Sequence, residues 1–425
     1  MKRHVLLIDF GATRIKSALL NLDTGSYGLN HVSPGSSAVG QIVPMSFFAN
    51  ALIEHIGCSV QTKISAIIIC CEMHGFTWLT DIETPERKYV SWRYSTAEHT
   101  STIEKFNQLN FRDVTGLNPR SGLPAVTLLA ESSTKLNKDS ADSGVSFLPD
   151  EICRQLGHSN NVAHVTLAHS SGLYTRNNEP ISGFGLEEFL VPAVSNDDLV
   201  ELGYVKVANS NIPCFGGYGD LQASVYGASP DYKDWVINLG TGSQVISQVP
   251  VRGQEFELRK YFHHQEISCV THIPAGRTLT VFADFFKEVR QAQTADYFWN
   301  MLASVDPLAL PTDAPIFDLA VFREARGYKN GGSVQQINEH AFDTHHFFAG
   351  LLNSFLGQYL KLLSAEDPKE TRRVLLAGNM AKSLPNIRQW FEANWSAPVS
   401  LTSGAPDPTF DCMAKFATNL LPQRL

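Results

Sequence analysis

Val5-Leu6-Leu7-Ile8-Asp9-Phe10-Gly11-Ala12-Thr13-Arg14-Ile15-Lys16-Ser17-Ala18-Leu19-Leu20 is two apolar runs on either side of a small-residue turn. An apolar run is cut by Asp9, a small-residue turn follows at Gly11–Thr13, and apolar residues resume at Ile15, which predicts a β-hairpin. Gly11 lets the backbone approach a ligand closely. Thr13 adds a hydroxyl beside the N–H groups of the turn, and such a concavity of donors suits a phosphate. Asp9 is of the residue type that holds Mg²⁺, or its water shell, against that phosphate. An ordinary hairpin with a polar turn would carry the same residues.

Half a chain later the plan returns. Trp235-Val236-Ile237-Asn238-Leu239-Gly240-Thr241-Gly242-Ser243 is again an apolar strand, a polar Asx, an apolar residue, then glycines and hydroxyls. Two phosphate hairpins at this separation predict a duplicated α/β domain closing on one nucleotide.

The bulk properties agree. At 425 residues the chain is long for one core, so two domains are expected. It is 43% apolar and 18% charged, ordinary for a globular protein. A net charge of −8 with no basic run argues against nucleic acid, so an anionic nucleotide would be held by local donors and Mg²⁺. Asp9 breaks the first apolar run, which is not a signal peptide. No run of about 18 apolar residues predicts a membrane span. The seven cysteines (Cys58, Cys70, Cys71, Cys153, Cys214, Cys269 and Cys412) lack metal-ligand spacing and predict reduced thiols in a cytoplasmic protein.

Along the chain, Ser46–Gly57 has helical spacing, and Ile64–Cys71 is a buried strand that runs into Glu72-Met73-His74-Gly75. In open α/β sheets ligands gather at such carboxyl ends, although His74 could equally be a structural histidine in a turn. Val90-Ser91-Trp92-Arg93-Tyr94 follows a strand; Arg93 could grip sugar hydroxyls or pair with a surface carboxylate. Pro124–Lys135 and Leu186–Val194 read as helices. Near residue 205 the organisation restarts, with Pro213–Gly219 as a glycine-rich approach to a helix opened by Asp220. There Asp220 is either a plain cap or a base kept ionised by the helix dipole. Thr278–Val289, His345–Leu363, Ile387–Asn394 and Phe410–Leu421 are further helices, and Arg373–Ala377 is a strand into a turn at Gly378-Asn379.

In this order, over nearly the whole chain, these residues resemble the FGGY family of carbohydrate kinases. Residues 9–16 are similar to its first phosphate hairpin, and Glu-Met-His-Gly (72–75) to its Gln-Met-His-Gly sugar turn. Trp92-Arg93 is similar to its tryptophan-containing sugar contact and Gly-Asp-Leu-Gln-Ala-Ser (219–224) to its catalytic Gly-Asp-x-x-x-Ala. Leu-Gly-Thr-Gly-Ser (239–243) resembles the second hairpin and Ala-Gly-Asn-Met-Ala-Lys-Ser (377–383) the adenosine motif Gly-Gly-Gly-x-x-Lys-Ser.

The resemblance implies an α/β fold of two actin-like (ribonuclease H-like) domains of the sugar kinase/Hsp70/actin superfamily with a central cleft. Residues 1–205 would bind sugar and phosphate, and 206–425 would carry the base and the nucleotide. It implies ATP-dependent phosphorylation of a ketose hydroxyl; Gly-Asp-Leu-Gln is most similar to sedoheptulokinases, and xylulose or a related sugar is an alternative acceptor. Asp220 would be the general base and Asp9 the Mg²⁺ contact. Gly11, Thr13, Lys16, Gly240, Thr241 and Gly242 would hold phosphates, Gly378 and Asn379 the nucleoside, and Met73, His74, Trp92, Arg93 and Asp220 the sugar. Cofactors are ATP and Mg²⁺; partners are the sugar and ATP, with no nucleic acid and no membrane, and a homodimer is compatible.

The chain departs from the pattern in places. Tyr94 stands where the family has Asp, Ala377 and Asn379 replace two adenosine-site glycines, and a Gly-Gly is missing around Val281-Phe282-Ala283-Asp284. These departures favour a competing reading, a non-catalytic actin-like nucleotide-binding protein; the retained Asp220 and Met73-His74-Gly75 oppose it. A Rossmann dehydrogenase is excluded because no G-x-G-x-x-G follows the first strand.

Overall fold

The computed structural model describes residues 3–59, 63–79, 87–135, 144–187, 189–251, 253, 255–323, 325–364, 372–402 and 407–424. The chain divides into two compact units. Unit 1 is Met1–Ser229, Leu258–Glu266 and Ala405–Leu425; unit 2 is Pro230–Glu257 and Ile267–Gly404.

The expected hairpin opens unit 1. His4–Phe10 pairs antiparallel with Arg14–Asn21, Asp9 opposite Lys16. Around it runs a sheet in the order Tyr27–Pro34, Arg14–Asn21, His4–Phe10, Ile64–Cys71, Ser210–Gly219, Glu201–Val207, Gly157–Ser159. Ile64–Cys71 lies parallel to His4–Phe10, and Ser210–Gly219 parallel to Ile64–Cys71. Strands buried on both faces need continuous apolar runs, and Ile67, Ile68 and Ile69 have no exposed surface. Because these three strands are parallel, Gly11, Glu72 and Asp220, the residues that follow them, emerge at one edge of the sheet.

Unit 2 repeats the arrangement. Its sheet contains, in order, Glu266–Ile273, Ser243–Ser247, Trp235–Leu239, Val374–Ala377 and Val399–Leu401. The first three alternate in direction and the last two run parallel to Trp235–Leu239. In unit 1 the corresponding strands are Tyr27–Pro34, Arg14–Asn21, His4–Phe10, Ile64–Cys71 and Ser210–Gly219. Asp9 and Asn238 are each the penultimate residue of the equivalent strand.

The restart near residue 205 is instead the hairpin Glu201–Val207/Ser210–Gly219, still within the first sheet, so the division by contacts falls after Ser229 and Asp220 lies in unit 1. The glycine-rich approach is itself a strand. Gly216 (φ 94°) and Gly217 (φ 75°) form the bulge where its register against Ile64–Cys71 shifts, a conformation that glycine adopts without strain.

Among its described residues Leu186–Val194 is not a helix; these are irregular and enter the short strand Ala193–Ser195. Glu187 accepts from the N–H groups of Gly183 and Phe184, which fixes a turn there, and Leu186 and Phe189 are buried without helical geometry. The stretch around Val281 is the middle of a helix, Gly276–Val289, whose own first residue supplies a glycine. Among the described residues no helix is long and apolar enough to cross a membrane. All seven cysteines are free thiols, and all but Cys58 are buried.

Candidate active site

In unit 1 the Gly11–Thr13 turn is tied from behind. The Gly35 N–H donates to the Thr13 carbonyl (3.0 Å) and the Ser37 N–H to the Ala12 carbonyl (2.8 Å). This strap, Gly35–Ser37, passes so close that a Cβ on Gly35 would collide with the Ala12 and Gly11 carbonyls. The carbonyls are thereby held back, and Thr13 is exposed.

Asp9 is buried beneath the turn. Its Oδ2 lies 3.6 Å from the Lys16 Nζ, and Lys16 also pairs with Asp407, which caps the helix Pro408–Leu420 by accepting from the Thr409 N–H (3.1 Å). Burial pushes the Asp9 carboxyl up to about 7; the Lys16 ammonium opposes this, while Asp220 and Asp407 add to it. Burial lowers the Lys16 pKa, but Asp9 and Asp407 outweigh it and the net shift is upward.

Asp9 Oδ1 is buried without a hydrogen-bond partner. A divalent cation, directly or through its water shell, would satisfy that oxygen, so the site fits Mg²⁺. Among the described residues no group of three or more His, Cys, Asp or Glu could hold a metal, so water and phosphate would supply the other ligands, as Mg²⁺ commonly requires.

The second strand end carries Glu72, Met73 and His74, all buried. His74 is in the left-handed region (φ 63°), an uncommon conformation for a residue other than glycine. Gly75 beside it has no room for a Cβ, because Tyr89 packs there. The His74 Nδ1–H donates to the Ser170 carbonyl at 2.6 Å, which leaves Nε2 as an acceptor for Arg120 Nη2 (3.0 Å) and Arg259 Nη1 (3.3 Å). The histidine edge assigned to the sugar is therefore covered by guanidinium groups. Arg259 has no exposed surface and also stands 3.7 Å from the Met73 sulfur.

The third strand end is Asp220, half-buried, at the first position of Asp220–Ala228. Burial pushes its carboxyl up to about 6, against the Leu221 N–H (2.8 Å to Oδ1), the Arg259 guanidinium and the Met73 N–H, all of which favour the ionised form. It is the first residue of the helix, with Gly219 at the cap, and its side chain serves the first-turn Leu221 N–H; its charge also raises the pKa of both Asp9 and Glu72. Asp9, Met73, His74 and Asp220 thus converge at one sheet edge.

Trp92 and Arg93 are committed to protein partners. The Trp92 indole N–H donates to Glu72 Oε2 (2.9 Å); Arg93 Nη2 donates to the Gly40 carbonyl (2.9 Å) and its Nε to the Ser91 hydroxyl (3.2 Å). The Tyr94 hydroxyl donates to Glu131 (3.0 Å).

In unit 2, the Gly240–Gly242 turn is latched to the start of Gly276–Val289: the Gly276 N–H donates to the Gly240 carbonyl (3.1 Å) and the Arg277 N–H to the Thr241 carbonyl (2.8 Å). Asn238 donates from Nδ2 to Gln244 (2.9 Å). Gly378, at φ 90°, comes so close to Leu239 and Asn238 that no side chain fits, and Asn379 opens the short helix that follows.

Sequence reasoning missed Asp407, Arg120, Arg259, Gly35 and Gly276. Asp407 had a local signal, an Asp before Pro at a helix start, but that signal says nothing of Lys16. No short-range pattern marks the arginines.

By sequence, no model of a protein family and no curated protein matches the chain. By structure it aligns over 99% of its length with xylulose kinase from Lactobacillus acidophilus, in a ligand-bound structure (15% identity, 90% of that chain, TM-score 0.79). It aligns equally far with gluconate kinase from Lactobacillus acidophilus (14% identity, 90% of that chain, TM-score 0.81). Glycerol kinase from Plasmodium falciparum with ADP also aligns over 99% of the chain (13% identity, 91% of that chain, TM-score 0.76). The fold is that of the FGGY carbohydrate kinases. Within that fold the two repeated sheets are its two actin-like domains.

Proposed function

We propose that the chain is an ATP-dependent carbohydrate kinase that moves the γ-phosphoryl group of ATP to a hydroxyl of a ketose, sedoheptulose, xylulose or a related sugar. The observation that carries this reading is the placement of Asp220, its carboxyl pushed up to about 6 by burial, at the sheet edge shared with the Asp9 turn and the Met73–His74 turn.

At neutral pH Asp220 is mostly ionised, as a base must be, and its Leu221 N–H bond orients it. It takes the proton of the acceptor hydroxyl as that oxygen bonds to the γ-phosphorus and the bond to the departing ADP oxygen breaks. A base so placed contributes typically ~10²–10⁴-fold. The backbone and hydroxyl donors of Gly11 and Thr13 in one turn, and of Gly240, Thr241 and Gly242 in the other, would stabilise phosphate charge. Mg²⁺ at Asp9 would neutralise further phosphate charge when bound. Lys16, held by Asp9 and Asp407, fixes the carboxylate beneath the turn, and the third N–H of its ammonium would serve a phosphate. Met73, His74 and Trp92 would hold the sugar, with guanidinium N–H groups of Arg120 and Arg259 at the His74 edge. Arg93 supports the loop at Gly40. Gly378 and Asn379 are assigned to the nucleoside, and buried, reduced thiols suit a cytoplasmic enzyme.

The test is ADP release from Mg-ATP with a ketose panel: xylulose, ribulose, rhamnulose, fuculose, fructose and sedoheptulose. One sugar is expected to stimulate strongly. Nucleotide binding without stimulation by any sugar, unchanged in Asp220→Asn, would leave the non-catalytic nucleotide-binding reading.

A further inference from the structure

Glu72 has no part in the transfer just described, yet its carboxylate is bonded at both oxygens. It is 3% exposed. Its Oε1 accepts from the Tyr89 hydroxyl (2.9 Å) and the Ser36 hydroxyl (3.0 Å), and its Oε2 from the Trp92 indole N–H (2.9 Å). Its own N–H donates to the Phe10 carbonyl (3.0 Å), one residue before the Gly11 turn. Ser36 is the middle residue of the strap whose Gly35 and Ser37 N–H groups hold that turn. Arg93 also donates to Ser36 Oγ (3.4 Å) and, beyond the strap, to the Gly40 carbonyl (2.9 Å).

We propose that Glu72 is a positioning residue that couples the Trp92 indole to the phosphate turn through Ser36 and the Gly35–Ser37 strap. Its effect on catalysis rests on the kinase reading; the coupling itself does not.

Residue chemistry supports the assignment. The indole N–H can only donate, whereas an ionised carboxylate is acceptor-only at both oxygens and receives the indole and two hydroxyls at once. An amide of the same shape sets an NH₂ against one of those donors. A buried carboxylate without such bonds would be costly; charge-assisted bonds offset that cost and are short and directional. The charged and titratable groups that face Glu72 are Tyr89, Arg93, Asp220 and Cys71.

The experiment, at pH 8 where the Glu72 carboxyl is ionised, compares Glu72→Gln, Trp92→Phe, Ser36→Ala and the doubles Glu72→Gln/Trp92→Phe and Glu72→Gln/Ser36→Ala in the full chain. Trp92→Phe identifies the emission of Trp92 among the six tryptophans. Glu72→Gln is expected to change the emission and quencher access of Trp92, and the change is expected to vanish in the Trp92→Phe background. It is also expected to raise KM for both sugar and ATP by about tenfold, as loss of a hydrogen bond to a charged group would. The sugar effect should be absent with Trp92→Phe and the ATP effect absent with Ser36→Ala. Additive effects, or unaltered Trp92 emission, overturn the proposal.

If Glu72→Gln does not fold, Trp92→Phe alone decides: a rise in KM for ATP as well as sugar supports coupling, and a rise for sugar only overturns it. If no sugar supports turnover, the kinase reading fails while the fluorescence comparison still decides the coupling.

Discussion

Asp407 holds the ammonium of Lys16, a residue 391 positions earlier in the chain, and through it the carboxylate of Asp9. The pair is partly buried, with 30% and 21% of the two side chains exposed. Asp407→Asn keeps a capping oxygen for the Thr409 N–H but removes the charge. The expected loss is about 1 kcal/mol, between the ranges for exposed and buried pairs, read as a lower urea midpoint with unchanged slope.

Asp220→Asn should keep nucleotide binding and lose transfer by ~10²–10⁴-fold, measured as ADP release beside calorimetric titration with ADP. In the unaltered chain the base must be ionised. Turnover should therefore fall as pH drops through about 7 to 6, where the Asp9 and Asp220 carboxyls take up protons, and drop at least tenfold per unit below that. A profile flat from pH 5 to 8 sinks the assignment.

Glu72 also makes stability depend on pH. Its carboxyl is raised from 4.5 to about 7, chiefly by burial, with the Tyr89 and Ser36 hydroxyls opposing. The folded chain then binds the proton more tightly than the unfolded one. Stability is greatest below about pH 4.5, falls as pH rises through that window, and carries the full penalty above about 7. Glu72→Gln removes this titration. Its stability relative to the parent should improve by roughly 2–3 kcal/mol between pH 5 and pH 8, whatever constant cost its lost hydrogen bond adds. Parallel urea titrations at the two pH values measure the difference, and an unchanged gap refutes the ionised, buried state.

Gly378→Ala forces a Cβ into the Leu239 carbonyl at a backbone φ of 90°. Strain and overlap together should cost about 1–3 kcal/mol and displace the turn next to Asn379. ADP affinity is expected to fall with it; unaltered affinity and melting temperature would show that this turn tolerates a side chain.

Several elements were legible because their information is local. The strands Ile64–Cys71 and Trp235–Leu239 and the helix Pro124–Lys135 show their period and end at residues that punctuate them. Leu186–Val194 misled because a short apolar run satisfies a helix template, while the Glu187 carboxylate, bonded to the N–H groups of Gly183 and Phe184, fixes a turn in their place. The strand Ser210–Gly219 was hidden by glycines that serve a bulge, which only pairing with Ile64–Cys71 reveals.

Residue type and spacing along one segment suffice to read the two hairpins, the order of the turns and the candidates Asp9, His74 and Asp220. Tertiary structure alone decided what each side chain is bonded to. It turned Lys16 toward Asp407, covered the His74 edge with Arg120 and Arg259, and drew Trp92 onto Glu72. Hydrogen bonds and ion pairs act over about 3 Å of space whatever the separation in sequence, so no pattern read along the chain can predict partners that only the packed sheet brings together.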